Sequence, residues 1–401
     1  MTLFPSSRRS TADHAATLTT AALNRRRVVL IVVAFALSRL LLVATGVAAN
    51  TLLPANEGEE FTHLLDGGPA LDMWYRWDAG FYATIATYGY DWWNEGHPAD
   101  DMAFLPLYPL AVRAVMSITG CGYTPYLSTC ATVSGLVVSN AALLAATLLL
   151  FNLTYGTFGP GAAWRALTLL LVSPASIFLS GVYTEATFLL LSLIVFSALE
   201  RNRFGPAVLA AALACLTRSV GIALVPALLW HAWRSSGEGG RVIRLGLALV
   251  PGLVFAAYIL GAGLWVGDPL AYFHTYETTW ERPAGGFIGA FTAYFSGEAV
   301  SWFGWRLSWL DLLATLGFLA LALLVLRRRV AWGLYALGAI IVPVLSGTLV
   351  AMPRFGLVVF PFYVEAGARA TRIWQQILLI ALSLALMALF TARFVTWRWI
   401  A

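Results

Sequence analysis

The residues best suited to chemistry in this chain are carboxylates and arginines set among aromatic rings. Trp74-Tyr75-Arg76-Trp77-Asp78 places a carboxylate directly after an arginine and three aromatic side chains. An aspartate screened by rings and close to a guanidinium can stay ionised and serve as a general base. Asp78 also precedes the helical-looking run Phe81 to Ala86, so a helix N-cap is its plainer role. The two roles are compatible. Indole faces beside carboxylates are what a sugar site uses, the rings packing on C–H faces and the acids taking hydroxyls. Trp74, Arg76, Trp77, Tyr82 and Asp101 are the candidate sugar or acceptor contacts of this loop.

Three further ionisable residues stand among apolar neighbours. Glu185, in Tyr183-Thr184-Glu185, sits at a turn between two apolar runs, where a charge is either functional or simply at the surface; it joins the sugar-site candidates with Tyr183. Arg218, in Thr217-Arg218-Ser219, and Arg354, in Met352-Pro353-Arg354-Phe355, are isolated cations suited to bidentate bonding of a lipid-linked phosphate. Snorkelling to head groups is the simpler account of Arg354. Arg218 has no nearby aqueous edge in sequence.

Other chemistries are poorly represented. The five histidines are scattered without ligand spacing, and Cys121, Cys130 and Cys215 do not form a metal motif. No metal site and no cofactor are expected. Cys121 and Cys130 bracket a short loop, where a structural disulfide is expected. No glycine loop of the nucleotide-binding kinds occurs.

The elements that must position these residues are membrane helices. A chain of 401 residues that is 60% hydrophobic and 11% charged lacks the polar surface of a water-soluble globule. Its net charge of +5 comes from arginine alone, gathered in short clusters between apolar runs, which is a membrane-orientation pattern and not a nucleic-acid surface. Residues 1–24 are predicted to be a disordered cytoplasmic tail, and 25–401 a single transmembrane domain. Candidate spans are 28–49, 129–151, 163–180, 184–199, 242–264, 308–326, 331–350, 355–368 and 374–395.

Orientation settles two ambiguous runs. The basic clusters at Arg25 to Arg27, Arg201/Arg203, Arg234/Arg241/Arg244, Arg327 to Arg329 and Arg369/Arg372 should share the cytoplasmic side. That requires 104–120 to lie as an amphipathic helix in the outer interface, and 205–231 to enter and return as a hairpin turning near Arg218. Loops 50–128 and 265–307 are then extracytoplasmic. They hold fifteen of the 20 acids, once Asp311 just beyond is counted, and with Trp309 nine of the 16 tryptophans. For most of these tryptophans an interfacial belt is the simpler account.

At this point the motifs resemble a known family. Arg76-Trp77-Asp78-Ala79-Gly80-Phe81-Tyr82, then Ile85-Ala86, Tyr88-Gly89-Tyr90 and Ala103-Phe104-Leu105-Pro106-Leu107-Tyr108-Pro109 resemble the first-loop run of the PIG-V-like mannosyltransferases, which are GT-C membrane glycosyltransferases. Ser173-Pro174 through Phe188, Leu216-Thr217-Arg218-Ser219, and Pro353-Arg354-Phe355 before Phe360-Pro361 come next in the family's order. The likeness spans about 28–365. Leu105, Phe81 and Ser219-Val220 depart from the usual residues and bear on acceptor choice more than on reaction class.

The resemblance implies an all-α, polytopic GT-C fold with a catalytic first outer loop. It implies a polyprenyl-phosphate sugar as donor and a glycolipid or glycan acceptor, both met in membrane lipid. Asp78 matches the loop carboxylate, Glu185 the acid of the Tyr-x-Glu motif and Arg218 the membrane arginine. In eukaryotic members the donor is dolichyl-phosphate mannose and the acceptor a glycosylphosphatidylinositol precursor. The lysine-free composition looks like that of a high-GC bacterium, which leaves the acceptor open and points to a bacterial plasma membrane with the site outside. The expected reaction is inverting mannosyl transfer with Asp78 as base and Arg218 and Arg354 at the phosphate. The rival readings are a lipid transporter or flippase, or a non-catalytic subunit of a glycosylation complex; the first sits poorly with acids that gather in outer loops and with the lack of an internal repeat.

Overall fold

A backbone in lipid must satisfy its own hydrogen bonds, so the apolar runs of this chain form helices. The computed structural model describes residues 7–56, 65, 67–91, 93–94, 97–98, 100–120, 129–235, 237–278, 282, 285–296 and 309–400. In order these form α1 (Ser7–Leu52), α2 (Pro69–Asp72), α3 (Ala79–Tyr88), α4 (Leu107–Thr119), α5 (Thr129–Leu171), α6 (Ile177–Ser180), α7 (Glu185–Glu200), α8 (Phe204–Cys215) and α9 (Val225–Ser235). They continue as α10 (Glu238–Val266), α11 (Ala271–Thr278), α12 (Gly286–Ser296), α13 (Trp309–Arg328), α14 (Val330–Val344), α15 (Met352–Leu357), α16 (Phe360–Arg369) and α17 (Ile373–Val395). Two short strands, Trp93–Asn94 and His97–Pro98, pair antiparallel in the first loop. The architecture of the described residues is otherwise all-α, as expected. In the stretch expected to be a tail, α1 begins at Ser7.

Among the described residues, five helices are long and apolar enough to cross a membrane: α1 from Arg25, α5, α10 from Gly240, α13 and α17. This is an integral, multi-pass membrane protein. Four of the nine expected spans are shorter or broken. The run 163–180 splits into the end of α5 and α6 around Pro174, 184–199 becomes the sixteen-residue α7, and 331–350 stops at Val344. The run 355–368 breaks between α15 and α16, where Pro353 and Pro361 each open a helix. Chains that interrupt their helices inside a bundle do so where other protein groups meet the freed backbone.

The two ambiguous runs take different forms. Within 104–120, α4 spans thirteen residues and buries Tyr108, Val112 and Met116, one face at i, i+4 spacing, while Leu110 and Ile118 are exposed. Segment 205–231 is a hairpin of α8 and α9 joined by a 3₁₀ turn, Ser219–Leu224, with Arg218 as its first flanking residue. α5 bends at Gly159, whose φ of 81° lies in the left-handed region, with Pro160 next to it.

The two ends of the bundle differ in chemistry. α7 is enclosed by protein, with Leu189, Leu193 and Phe196 buried, and its two glutamates mark its ends about 22 Å apart. Glu200 takes Arg329 at 2.8 Å, and nearby Glu365 pairs with Arg328 at 3.5 Å and with Arg369. Arg27 lies over Tyr155 and Arg244 over Phe204 at this same basic end. Glu185 faces the opposite end, where the first loop packs. Buried Arg39 in the first span donates to Leu171 O at 2.5 Å and to the hydroxyls of Ser176 and Ser180 at 2.8 Å, satisfying carbonyl and hydroxyl groups at a helix end.

Candidate active site

The loop carboxylate is set by local backbone geometry. Trp77 adopts φ of 55°, a conformation non-glycine residues seldom take, and turns the chain so that Asp78 opens α3. Asp78 occupies the N-cap position, yet its side chain makes no capping bond. Its Oδ2 instead accepts a hydrogen bond from Arg354 Nη1 at 2.6 Å, while Oδ1 has no hydrogen-bond partner among the described residues.

Arg354 joins two carboxylates. It stands in α15 after Ala351, whose φ of 70° starts the helix, and its Nε donates to Glu185 Oε1. Its guanidinium carbon lies 4.8 Å from the ring centres of both Phe178 and Tyr183. Glu185, the first residue of α7, is wholly buried, and Arg218 Nη1 donates to the same Oε1 at 2.5 Å and to Thr184 Oγ1 at 2.9 Å. The result is a continuous chain, Asp78–Arg354–Glu185–Arg218, drawn from four separate elements. A surface position for Glu185, which would have made its charge unremarkable, is excluded. A buried ion pair needs good geometry and extra hydrogen bonds to offset desolvation, and this one has both.

Other expected contacts fall into supporting positions. Arg76 is fully enclosed and its donors go to Asp72 Oδ2 at 2.5 Å, to the carbonyls of Asp72, Tyr75 and Val395, and to Asn50 Oδ1 at 3.3 Å. It thus fastens the loop to α17 and α1 and presents nothing to a substrate. Trp74 is buried in the core, so it is not an open platform. Trp77 packs against Trp397 and Trp399, ring centres 5.4 and 5.5 Å away. Tyr183 donates to Arg76 O at 2.7 Å, tying the loop to the wall of the site. Tyr82 packs edge-on against Tyr108 and Tyr183. Burial is the main force pushing its phenol up, with Glu185 and Asp78 adding to it, so it stays neutral.

Asp101 stands apart from this chain. Its Oδ2 accepts the backbone N–H of Asp91 at 2.7 Å, and no ion pair joins it to the arginines of the site among the described residues. Its buried Oδ1 has no hydrogen-bond partner among the described residues, and burial pushes the carboxyl up to about 6.

Two contributors lie outside the expected set. Arg282, in the second outer loop, donates from Nη1 to Ser346 Oγ at 3.0 Å and lies 6.0 Å from the ring centre of Phe355, beside Arg354 in sequence. Its one trace in the sequence is a cation in a mostly acidic stretch, Glu281-Arg282-Pro283. Trp397 and Trp399 close over the loop from the far end of the chain, and nothing local in Thr396-Trp397-Arg398-Trp399 points there. Cys130 is disulfide-bonded and Cys215 is a buried free thiol; Cys121, like Trp92, Trp280, Trp302 and Trp305, lies outside the described residues.

Comparison with known proteins places this geometry in a family. The chain is 27% identical over 279 residues to the human GPI alpha-1,6-mannosyltransferase 2, covering 62% of this chain and 51% of that protein. It is 32% identical over 210 residues to the Cricetulus griseus protein of the same name, covering 51% and 40%. It is 31% identical over 163 residues to GPI mannosyltransferase 2 of Cryptococcus neoformans, covering 41% and 36%. The chain thus spans about half the length of these curated relatives, or less. Among solved structures, ArnT from Cupriavidus metallidurans bound to undecaprenyl phosphate superposes with a TM-score of 0.50 over 91% of this chain and 76% of ArnT, at 15% identity. That likeness establishes the fold as the one shared by GT-C membrane glycosyltransferases. The family profile for mannosyltransferase (PIG-V) matches residues 16–308, which carry Asp78, Glu185 and Arg218, and the chain belongs to the PIG-V mannosyltransferase family.

Proposed function

We propose that this protein transfers mannose from a polyprenyl-phosphate donor to a hydroxyl of a lipid- or protein-linked acceptor, inverting the anomeric centre. Family membership supports the reaction class. The observation that carries the residue assignments is the Asp78–Arg354–Glu185–Arg218 chain, which sets a general base next to buried cations. The positive-inside rule puts the basic end of the bundle in the cytoplasm and the reaction on the extracytoplasmic face.

In this mechanism Asp78 Oδ1 takes the proton of the acceptor hydroxyl as its oxygen attacks the anomeric carbon from the face opposite the phosphate. The new C–O bond forms as the bond from that carbon to the phosphate oxygen breaks, through an oxocarbenium-like transition state. The polyprenyl phosphate leaves with the electron pair. It needs cationic stabilisation and no general acid. Arg354 Nη2, and Arg218 Nε and Nη2, make no hydrogen bonds among the described residues and are the donors for that charge. Arg354 also holds Oδ2 of Asp78 and so fixes which oxygen faces the acceptor.

Membranes holding the protein, incubated with radiolabelled polyprenyl-phosphate mannose, test the reading. Label appearing in a glycolipid or glycoprotein supports it. Donor that crosses the bilayer with no label transferred would overturn it.

A further inference from the structure

The charges of the site do not balance. Arg218 and Arg354 are both bonded to carboxylates, and the two carboxylates of the chain, Asp78 and Glu185, are used by them. Arg282 adds a third guanidinium. Phe355 has the Arg218 guanidinium 5.5 Å and that of Arg282 6.0 Å from its ring centre, so both cations line one aromatic wall. Arg282 is half-buried, its side-chain hydrogen bond goes to the neutral hydroxyl of Ser346, and it makes no ion pair among the described residues. Burial is the main influence lowering its pKa, with Arg354 adding to it and Tyr276 and Asp78 acting against it. A half-buried cation without an anion is costly, and among the described residues three cations facing two carboxylates leave one positive charge for a ligand to neutralise.

The helix just beyond Arg282 narrows the ligand. α12 begins at Gly286, four residues along the chain from Arg282, and exposes Phe287, Ile288 and Phe295. A cation beside an apolar surface suits an amphiphile whose anionic head and hydrocarbon tail are contiguous. We propose that Arg282 is the anchor for the phosphate of a polyprenyl-phosphate lipid, adding a carboxylate-free positive charge to the N–H donors that Arg218 and Arg354 offer the same group. Ser346 holds its guanidinium in place, and Phe355 keeps it on the wall that carries Arg218. This assignment rests on the polyprenyl-phosphate donor of the proposed function and adds to it the residue that holds the donor's head.

The test is equilibrium binding of undecaprenyl phosphate, undecaprenol and inorganic phosphate to the full chain in nanodiscs, with thermal melting of each variant alongside. Undecaprenyl phosphate should bind the wild type well above undecaprenol. Arg282→Gln should weaken that binding by about tenfold or more, as expected for losing a charged hydrogen bond, with an unchanged melting profile, and Arg282→Lys should retain most of it. Binding of undecaprenol should not respond to either change. An Arg282→Gln protein that melts and binds like the wild type overturns the proposal. So does inorganic phosphate binding as tightly as the lipid, which would make the site one for free phosphate. Mannose transfer is scored separately. Transfer by a wild type whose lipid binding ignores Arg282 removes this assignment alone, whereas Arg282-dependent lipid binding without any transfer removes the mannosyltransferase reading alone.

Discussion

Arg354 Nη1 lies 2.6 Å from Asp78 Oδ2 although 276 residues separate them in the chain. The same guanidinium also reaches Glu185, so a single side chain couples the first-loop carboxylate to the membrane bundle. Three elements of different sequence position therefore share one electrostatic unit, and its members should respond differently to substitution.

Asp78→Asn should abolish most transfer while leaving the fold intact. Asparagine keeps the size and can still accept from Arg354, but it takes no proton, and loss of a positioned base costs about 10²- to 10⁴-fold in rate. Initial rates with saturating donor, paired with a melting curve, check this. Full activity in a folded preparation would remove Asp78 as the base.

Glu185→Gln should act mainly on stability. It removes the one carboxylate that meets both Arg218 and Arg354 while leaving them enclosed, and breaking a buried pair from one side costs about 3–5 kcal/mol. The double variant Glu185→Gln/Arg218→Gln should melt above the single one, because the stranded cation is gone, without regaining activity. Melting temperatures of the two in the same detergent decide between a charge-balance role and simple packing.

Arg76 should behave as a fastener. Arg76→Lys keeps the charge but cannot reproduce bonds to Asp72, Asn50 and the carbonyl of Val395 from one planar group, so it should destabilise almost as much as Arg76→Ala. In whatever fraction remains folded, KM for the donor should match the wild type. A raised KM with unchanged melting would instead mark Arg76 as a substrate contact.

Asp101 should give the protein a pH-dependent stability. Its carboxyl is raised from 3.8 to about 6 by burial, so between those values the folded chain holds a proton that the unfolded chain has lost. Stability therefore falls as pH rises through that window and levels off above it. Asp101→Asn should flatten the curve. Melting temperatures of wild type and variant from about pH 4 to about pH 8 would show it; parallel curves would mean that another group carries the dependence.

Much of this molecule is legible in its amino-acid sequence. A composition of 60% hydrophobic residues requires lipid as solvent, and the arginine clusters force 205–231 to turn back on itself, as α8 and α9 do. Asp78, Glu185, Arg218 and Arg354 are identifiable because an ionised group among apolar neighbours is costly and therefore informative. Span counting is less reliable. Prolines at 174 and 361 interrupt runs that hydropathy treats as continuous, since hydropathy averages over a window and a helix break is a property of single residues.

What the sequence alone determined was the inventory: a multi-pass helical protein and the ionisable residues worth watching. The tertiary structure decided which of those residues are partners. Arg76, one residue from Trp77 in the most suggestive motif, turned inward to Asn50 and the carbonyl of Val395, while Arg282, isolated in the second long loop, came to Phe355. The reason is physical. Charge pairing depends on distances of a few ångströms through space, and helix periodicity constrains only neighbours three or four residues apart. The pairing of Asp78 with Arg354 is a long-range contact that exists only once the bundle has closed.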